Sequence, residues 1–280
     1  MRLLDYAKNV YSQNGEDGVI EKLLESLPVT DKWCVDIGAW DGQYLSNTCT
    51  LIEKFDYAAV LVEANTKRFA DLVKRHGSNP KVIALSVFVG FTPADDLDSI
   101  LKKTPIPKDF DFLTISIEGN DYHVWKTLSS FTPKIVCVHC NPTIPTEVEF
   151  VQPADMKVRQ GSSFAAFTRL GHEKGYELVC LTHNRAFFVQ SQYFPALGIL
   201  DNSPQALRED FSTVTYIFCG FDGTIFVTGR EVLPHHWGIR IEKRLRQLPK
   251  YFRSYARDFS PFKTFMFKVY KRGARILGRA

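Results

Sequence analysis

Six short apolar runs punctuate the first two thirds of the chain: WCVDIG at 33–38, AAVLVEA at 58–64, KVIALSVFV at 81–89, DFLTISIEG at 111–119, KIVCVHC at 134–140 and YELVCLT at 176–182. Apolar residues dominate both parities of these runs, as in strands buried on both faces. Between them lie stretches with apolar residues three and four apart: SNTCTLIEKF, TKRFADLVKRHG, DDLDSILKK, NDYHVWKTLSSF and SSFAAFTRLGHEKG. Strands alternating with helices predict crossover units and a doubly wound, mostly parallel α/β sheet. Ahead of them, NGEDGVIEKLLESLP predicts a helix with Glu16 and Asp17 in its first turn and Val19, Ile20, Leu23, Leu24 and Leu27 on one face. Further on, TVTYIFCGFDGTIFVTG predicts a hairpin turning at Asp222-Gly223, an antiparallel end to the sheet.

Charge changes this picture near residue 233. Residues 235–280 hold 13 Lys/Arg and 2 Asp/Glu, a net +11, so the rest of a chain with total charge +4 carries −7. The expected organisation is a body over 1–233 and a basic, aromatic tail over 234–280, broken into three helices by Pro249 and Pro261. No apolar run reaches the length of a membrane span. The opening residues carry scattered charge and do not read as a signal peptide. Six cysteines sit mostly inside apolar runs, which suits buried free thiols and a cytoplasmic setting. The tail suits an anionic membrane surface first, a helix docked on the acidic body second, and nucleic acid last. His235 and His236, at the join, read as a polar linker.

The loop after the first strand, CVDIGAWDG, lies where open parallel sheets bind ligands. It lacks the G-x-G-x-x-G spacing that frees backbone N–H groups for a pyrophosphate. Instead Asp36 precedes Gly38, and Asp41 precedes Gly42. Carboxylates repel a pyrophosphate and attract an ammonium or sulfonium, so the loop favours S-adenosylmethionine over a nicotinamide dinucleotide. Glu63 ends the second strand, where a carboxylate accepts ribose hydroxyls.

YSQNGEDGVIEKLL, VDIGAWDG, SNT, VLVEAN, DFLTISIEGNDYHVWKTL and KGYELV together resemble the FkbM-type methyltransferases, over about residues 11–190. The resemblance implies a class I methyltransferase-like fold and O-methylation of a sugar or natural product with S-adenosylmethionine. It implies that Asp36, Gly38, Asp41 and Gly42 form the cofactor loop. Glu63, with Ala64 beside it, holds the ribose; Gln13, Asn14 and Glu16 lie in a lid. Asn47 starts the helix under the methionine end, and Ser86 and Val87 neighbour the adenine. The chain departs from that pattern at two strand ends, where Ser116 and His139 stand in place of acids.

Catalytic candidates cluster after the fourth and fifth strands: Glu118 and Asp121, then His139 and Asn141, with Asn120 beside them. His139 is suited to act as a base near neutral pH, against the bland reading of a histidine bonded for structure. Glu118, Asp121, Asn141 and His139 could also hold a divalent cation, but hard-cation sites want more carboxylates and Asp121 reads equally as a helix cap, so no metal is assigned. Cys137 and Cys140 in CVHC fall on opposite faces of one strand, which argues against a zinc or redox pair. Trp40 and Trp125 could stack on adenine or sugar, though core packing is the default. The function expected is glycan O-methylation, with a catalytically degenerate binding protein serving glycan-synthesis partners as the alternative.

Overall fold

The computed structural model describes residues 1–28, 31–233, 239, 248–253 and 256–276. The chain packs as two compact units, Met1–Asp210 and Phe211–Ala280.

The first unit is a seven-stranded sheet in the order β3-β2-β1-β4-β5-β7-β6. The strands are β1 (Trp33–Ile37), β2 (Ala58–Val62), β3 (Val82–Leu85), β4 (Phe112–Ile115), β5 (Ile135–His139), β6 (Tyr176–Leu181) and β7 (Arg185–Gln190). β7 pairs antiparallel with both β5 and β6, and the remaining pairings are parallel. This is the class I methyltransferase arrangement. The helices are α1 (Glu16–Ser26), α2 (Cys49–Phe55), α3 (Thr66–His76), α4 (Leu97–Leu101), α5 (Asp121–Thr127), α6 (Phe164–Glu173) and α7 (Pro204–Leu207). Their starts follow local chemistry: Asn65, Asp96 and Ser163 each accept hydrogen bonds from N–H groups of the first turn.

Alternation within each strand divides the core between two faces. Val35, Ile37, Leu113, Ile115 and Val136 pack on one, and Cys34, Leu61, Phe112, Ile135 and Cys137 on the other. Burial of both faces explains the near-continuous apolar runs. The antiparallel strand differs from expectation. It is RAFFVQ, which slots between β5 and β6, and the hairpin of 215–229 stays out of the sheet. That hairpin, β8 (Thr215–Cys219) with β9 (Ile225–Gly229), is a separate two-stranded sheet. Four of the five β8 residues are exposed, so the strand has no buried face with which to join a core.

The second unit takes in this hairpin, which the sequence reading keeps with the body, together with α8 (Pro261–Ile276). The expected helix over KYFRSYARDF is instead two 3-10 turns, Lys250–Phe252 and Ala256–Asp258. Phe252 is buried there against Phe259, Phe267 and Tyr270. Apart from residues 239 and 248, the other expected tail helix, over 237–248, and the His235–His236 pair lie outside the described residues. Among the described residues the six cysteines are free thiols, five of them buried. No described helix is long and apolar enough to cross a membrane.

Candidate functional site

Strand order reverses between β1 and β4, and the register pairs Ile37 with Ile115 and Ile115 with Val138. The carboxyl ends of β1, β4 and β5 therefore share one edge, at the switch point where open sheets bind ligands. A cleft opens there, with Asp36, Asn47, Ser116, Glu118 and His139 among its lining residues.

Backbone geometry shapes the β1 side. Gly38 has φ of 87°, and a Cβ there would lie 2.3 Å from the Ser116 carbonyl oxygen. Only glycine lets the β1 loop approach the β4 loop this closely. Trp40 and Leu45, both at the cleft, have φ of 54° and 52°, a strained conformation common at binding sites. The Arg68 guanidinium covers the Trp40 ring, 3.2 Å from its centroid, and Tyr44 packs beside it.

Asp36 is buried, and its Oδ2 accepts a hydrogen bond from the Thr48 hydroxyl at 2.8 Å. Burial raises its pKa to about 6, against the opposing pull of Thr48 and of the Arg185 charge. A carboxylate so desolvated is a strong attractor for a cation.

The other expected loop residues play different parts. Asp41 Oδ1 accepts the Gln43 and Tyr44 N–H groups at 2.9 and 2.7 Å, which folds the loop. Gly42, with φ of 77°, packs on His76 of α3, whose Nε2 donates to the Gly42 carbonyl at 3.1 Å. Glu63 is buried, and its oxygens accept the Trp40 and Asn65 N–H groups at 3.0 and 2.7 Å. It braces the β1 loop against β2. Ala64, Ser86 and Val87 are exposed beyond the ends of β2 and β3, outside the cleft lining. The acidity facing the cleft is thus that of Asp36 and Glu118, and Asp41 and Glu63 serve the backbone.

On the β4 side, Glu118 is exposed, lines the cleft, and has φ of 54°. Asp121 holds it there. Buried behind the loop, Asp121 accepts the Ile117 and Gly119 N–H groups at 3.0 and 2.8 Å. Burial raises its pKa to about 6, against those two hydrogen bonds. Asp121 is a brace, neither in the cleft nor a cap of the α5 N–H groups. Asn141 also falls outside the cleft lining: its Oδ1 accepts from Thr143 and its Nδ2 donates to the Gln160 carbonyl. The four residues considered for a cation therefore do not converge, and no described cluster of three His, Cys, Asp or Glu side chains has metal-site geometry.

His139 lines the cleft, and Asn184 Nδ2 donates to its Nε2 at 3.2 Å. Asn14 Nδ2 in turn donates to Asn184 Oδ1 at 3.1 Å, which ties the N-terminal segment to the site. Gln13 reaches the cleft from that segment. Glu16 is buried and accepts the Gln13 and Asn14 N–H groups and the Thr182 hydroxyl, so it fixes the segment from outside the cleft lining.

Sequence reasoning missed Asn184 and Arg185. Arg185 opens β7 opposite His139, and its Nη1 donates to the Ser116 hydroxyl. Ser116, where the resembling family has an acid, thus faces a guanidinium. The signal was a lone Arg ahead of the apolar run AFFVQ, an ordinary exposed strand end until β7 pairs antiparallel beside β5. Trp125 is fully buried among Phe167, Tyr176 and Phe188 and belongs to the core.

No family model and no curated protein matches the chain. Solved structures do. The CMeT domain of the citrinin polyketide synthase shares 12% identity at a TM-score of 0.43. That alignment covers 63% of this chain and 51% of the other, so the chain spans about half of it. The N-terminal domain of EvdMO1, solved with SAH and D-fucose, shares 12% identity at a TM-score of 0.41, covering 66% and 84%. A SAM-dependent methyltransferase from Aquifex aeolicus shares 12% identity at a TM-score of 0.37, covering 60% and 87%. All three alignments fall below a TM-score of 0.5, and the fold of this chain stands on its own strand order.

Proposed function

We propose that the chain is an S-adenosylmethionine-dependent O-methyltransferase of FkbM type acting on a hydroxyl of a glycan or related acceptor. One observation carries the reading: a buried carboxylate, Asp36, lies at the switch-point cleft beside a glycine turn with no pyrophosphate spacing. When bound, S-adenosylmethionine supplies an electrophilic methyl group. Asp36 pairs with the ligand's amine, Arg185 meets its carboxylate, and Glu63 keeps lone pairs for the ribose. Asn47, whose Nδ2 donates to the Thr114 hydroxyl at 3.3 Å, is held at the cleft wall. The exposed Glu118 and His139 stand on the acceptor side. Either can take the hydroxyl proton, and His139 does so by exchanging its bond from Asn184 for one from the acceptor.

The second reading is a binding protein without turnover. It is favoured by the lone pair of His139 Nε2 being engaged by Asn184, and by Ser116 in place of an acid. Calorimetry of the full chain with S-adenosylhomocysteine, S-adenosylmethionine and NAD tests the shared premise. Saturable binding of the first two and none of the third is expected; preference for NAD overturns both readings. A methyl-release assay over hydroxyl-bearing glycans then separates them. Turnover that falls at least tenfold in His139→Ala or Glu118→Gln supports the enzyme, and binding without turnover supports the binder.

A further inference from the structure

Helix α8 has three faces, set by its sixteen-residue sequence PFKTFMFKVYKRGARI at 3.6 residues per turn. Phe267, Tyr270 and Ala274 form the inner face. The two rings pack on Phe252 with centroids 5.4 and 5.5 Å away, and Ala274 is buried. A second face carries Phe262, Phe265, Met266 and Val269, at spacings of three and four, with exposures of 67%, 61%, 39% and 54%. Among the described residues this apolar stripe is exposed, although the helix is already anchored through its other side. The third face carries Lys268, Lys271, Arg272 and Arg275, all exposed, and the helix contains no Asp or Glu.

We propose that this stripe and its flanking cations form a docking surface for an anionic lipid bilayer, with α8 lying in the plane of the headgroups. The proposal is independent of the methyl-transfer reading. Charge complementarity decides the occupant. A protein groove for the apolar stripe would need acids along one rim to meet an uninterrupted row of cations. A bilayer containing acidic headgroups supplies that row of charge and an apolar interior side by side. A nucleic acid would meet the cations and leave two phenylalanines, a methionine and a valine in water. The helix is also too short and too charged to cross a membrane, so it lies on the surface.

Co-sedimentation of the full chain with vesicles of phosphatidylcholine alone, or of phosphatidylcholine with phosphatidylglycerol, tests this. Binding to the anionic vesicles at least tenfold stronger than to the neutral ones is expected, weakening as salt is raised. Phe262→Ser with Val269→Ser removes exposed side chains only, so the fold is kept, as circular dichroism would verify. This double variant should lose at least tenfold in binding to anionic vesicles. Lys268→Glu with Arg272→Glu should lose the preference for anionic lipid. The proposal is overturned if wild type and the stripe variant sediment alike. It is equally overturned if the wild type ignores both vesicles, whether the stripe is then found covering a second copy by sedimentation velocity or packed on the first unit by hydrogen exchange.

Discussion

On the proposed reading, Asp36 is the residue that holds the ligand's cation. An acid whose pKa is raised from 3.8 to about 6 by burial binds its proton more tightly in the folded state than in the unfolded chain. The neutral form therefore supports folding below about pH 4, and that contribution is lost as pH rises to about 6. A shift of this size corresponds to roughly 3 kcal/mol against the apo protein above pH 6. Two outcomes follow. Asp36→Asn should make the apo protein more resistant to urea at pH 8, with less gain at pH 4. If Asp36 pairs with the ligand amine as proposed, the substitution should also weaken S-adenosylhomocysteine binding by about 2 kcal/mol or more, roughly 30-fold. In the wild type, affinity should rise with pH up to about 6 and then level off, because the cation binds the ionised form; a flat calorimetric profile from pH 5 to 8 would remove Asp36 from the site. Lys134 provides the contrast. Its Nζ lies 2.7 Å from Asp111 and 3.3 Å from Asp31, and it precedes β5, at the sheet edge away from the cleft. Lys134→Ala leaves the fully buried Asp111 short of a charge partner and should cost about 3–5 kcal/mol in urea unfolding with ligand affinity unchanged.

At the scale of elements, legibility followed the range of the interactions. The five parallel strands and their helices were readable because burial on both faces and helical spacing are written in neighbouring residues. The motif SQNGEDG was readable as a signature, but its physical role was not. Asp17 is a hub whose Oδ2 accepts the Val10, Tyr11 and Ser12 N–H groups at 2.8, 2.9 and 2.7 Å, while its Oδ1 accepts the Thr50 hydroxyl at 2.5 Å. Burial alone would raise its pKa, yet the bonds from Thr50 and Ser12 outweigh it and hold it below the usual range. Its stabilising effect is therefore present above pH 3.8 and lost as pH falls through its lower folded value. Asp17→Ala should cost about 3 kcal/mol at pH 7, and acid denaturation should separate the variant from wild type less and less as pH drops. Because the same segment carries Gln13 to the cleft and Asn14 to Asn184, ligand affinity should fall with it. Arg185 was illegible for the opposite reason. Its place beside Ser116 depends on β7 inserting next to β5, a pairing between residues 135–139 and 185–189 that no local pattern encodes. The same holds for Asp41, Glu63 and Asp121. All three follow β1, β2 or β4, but whether a carboxylate faces a ligand or a backbone N–H is settled by loop geometry.

Over the whole molecule, charge and chemistry are segregated. The cleft draws on residues from Gln13 to Arg185, all within the unit Met1–Asp210, and the cationic helix belongs to Phe211–Ala280. Along the sequence the charge divides as well, with −7 outside the last 46 residues and +11 within them. The core of the first unit also closes on itself. Both apolar clusters on the sheet faces consist of residues before 210, with Leu207 as the last member at the periphery of one. A unit with its own continuous core on both sides of a seven-stranded sheet has what independent folding requires. A chain ending at Asp210 should therefore unfold in a single cooperative transition and bind S-adenosylhomocysteine within about twofold of the full chain, since no cleft residue is removed. Calorimetry and thermal unfolding of the two chains side by side check this. A tenfold loss of affinity on truncation would mean that the second unit completes the site, and the acceptor side would then have to be sought in residues after 210.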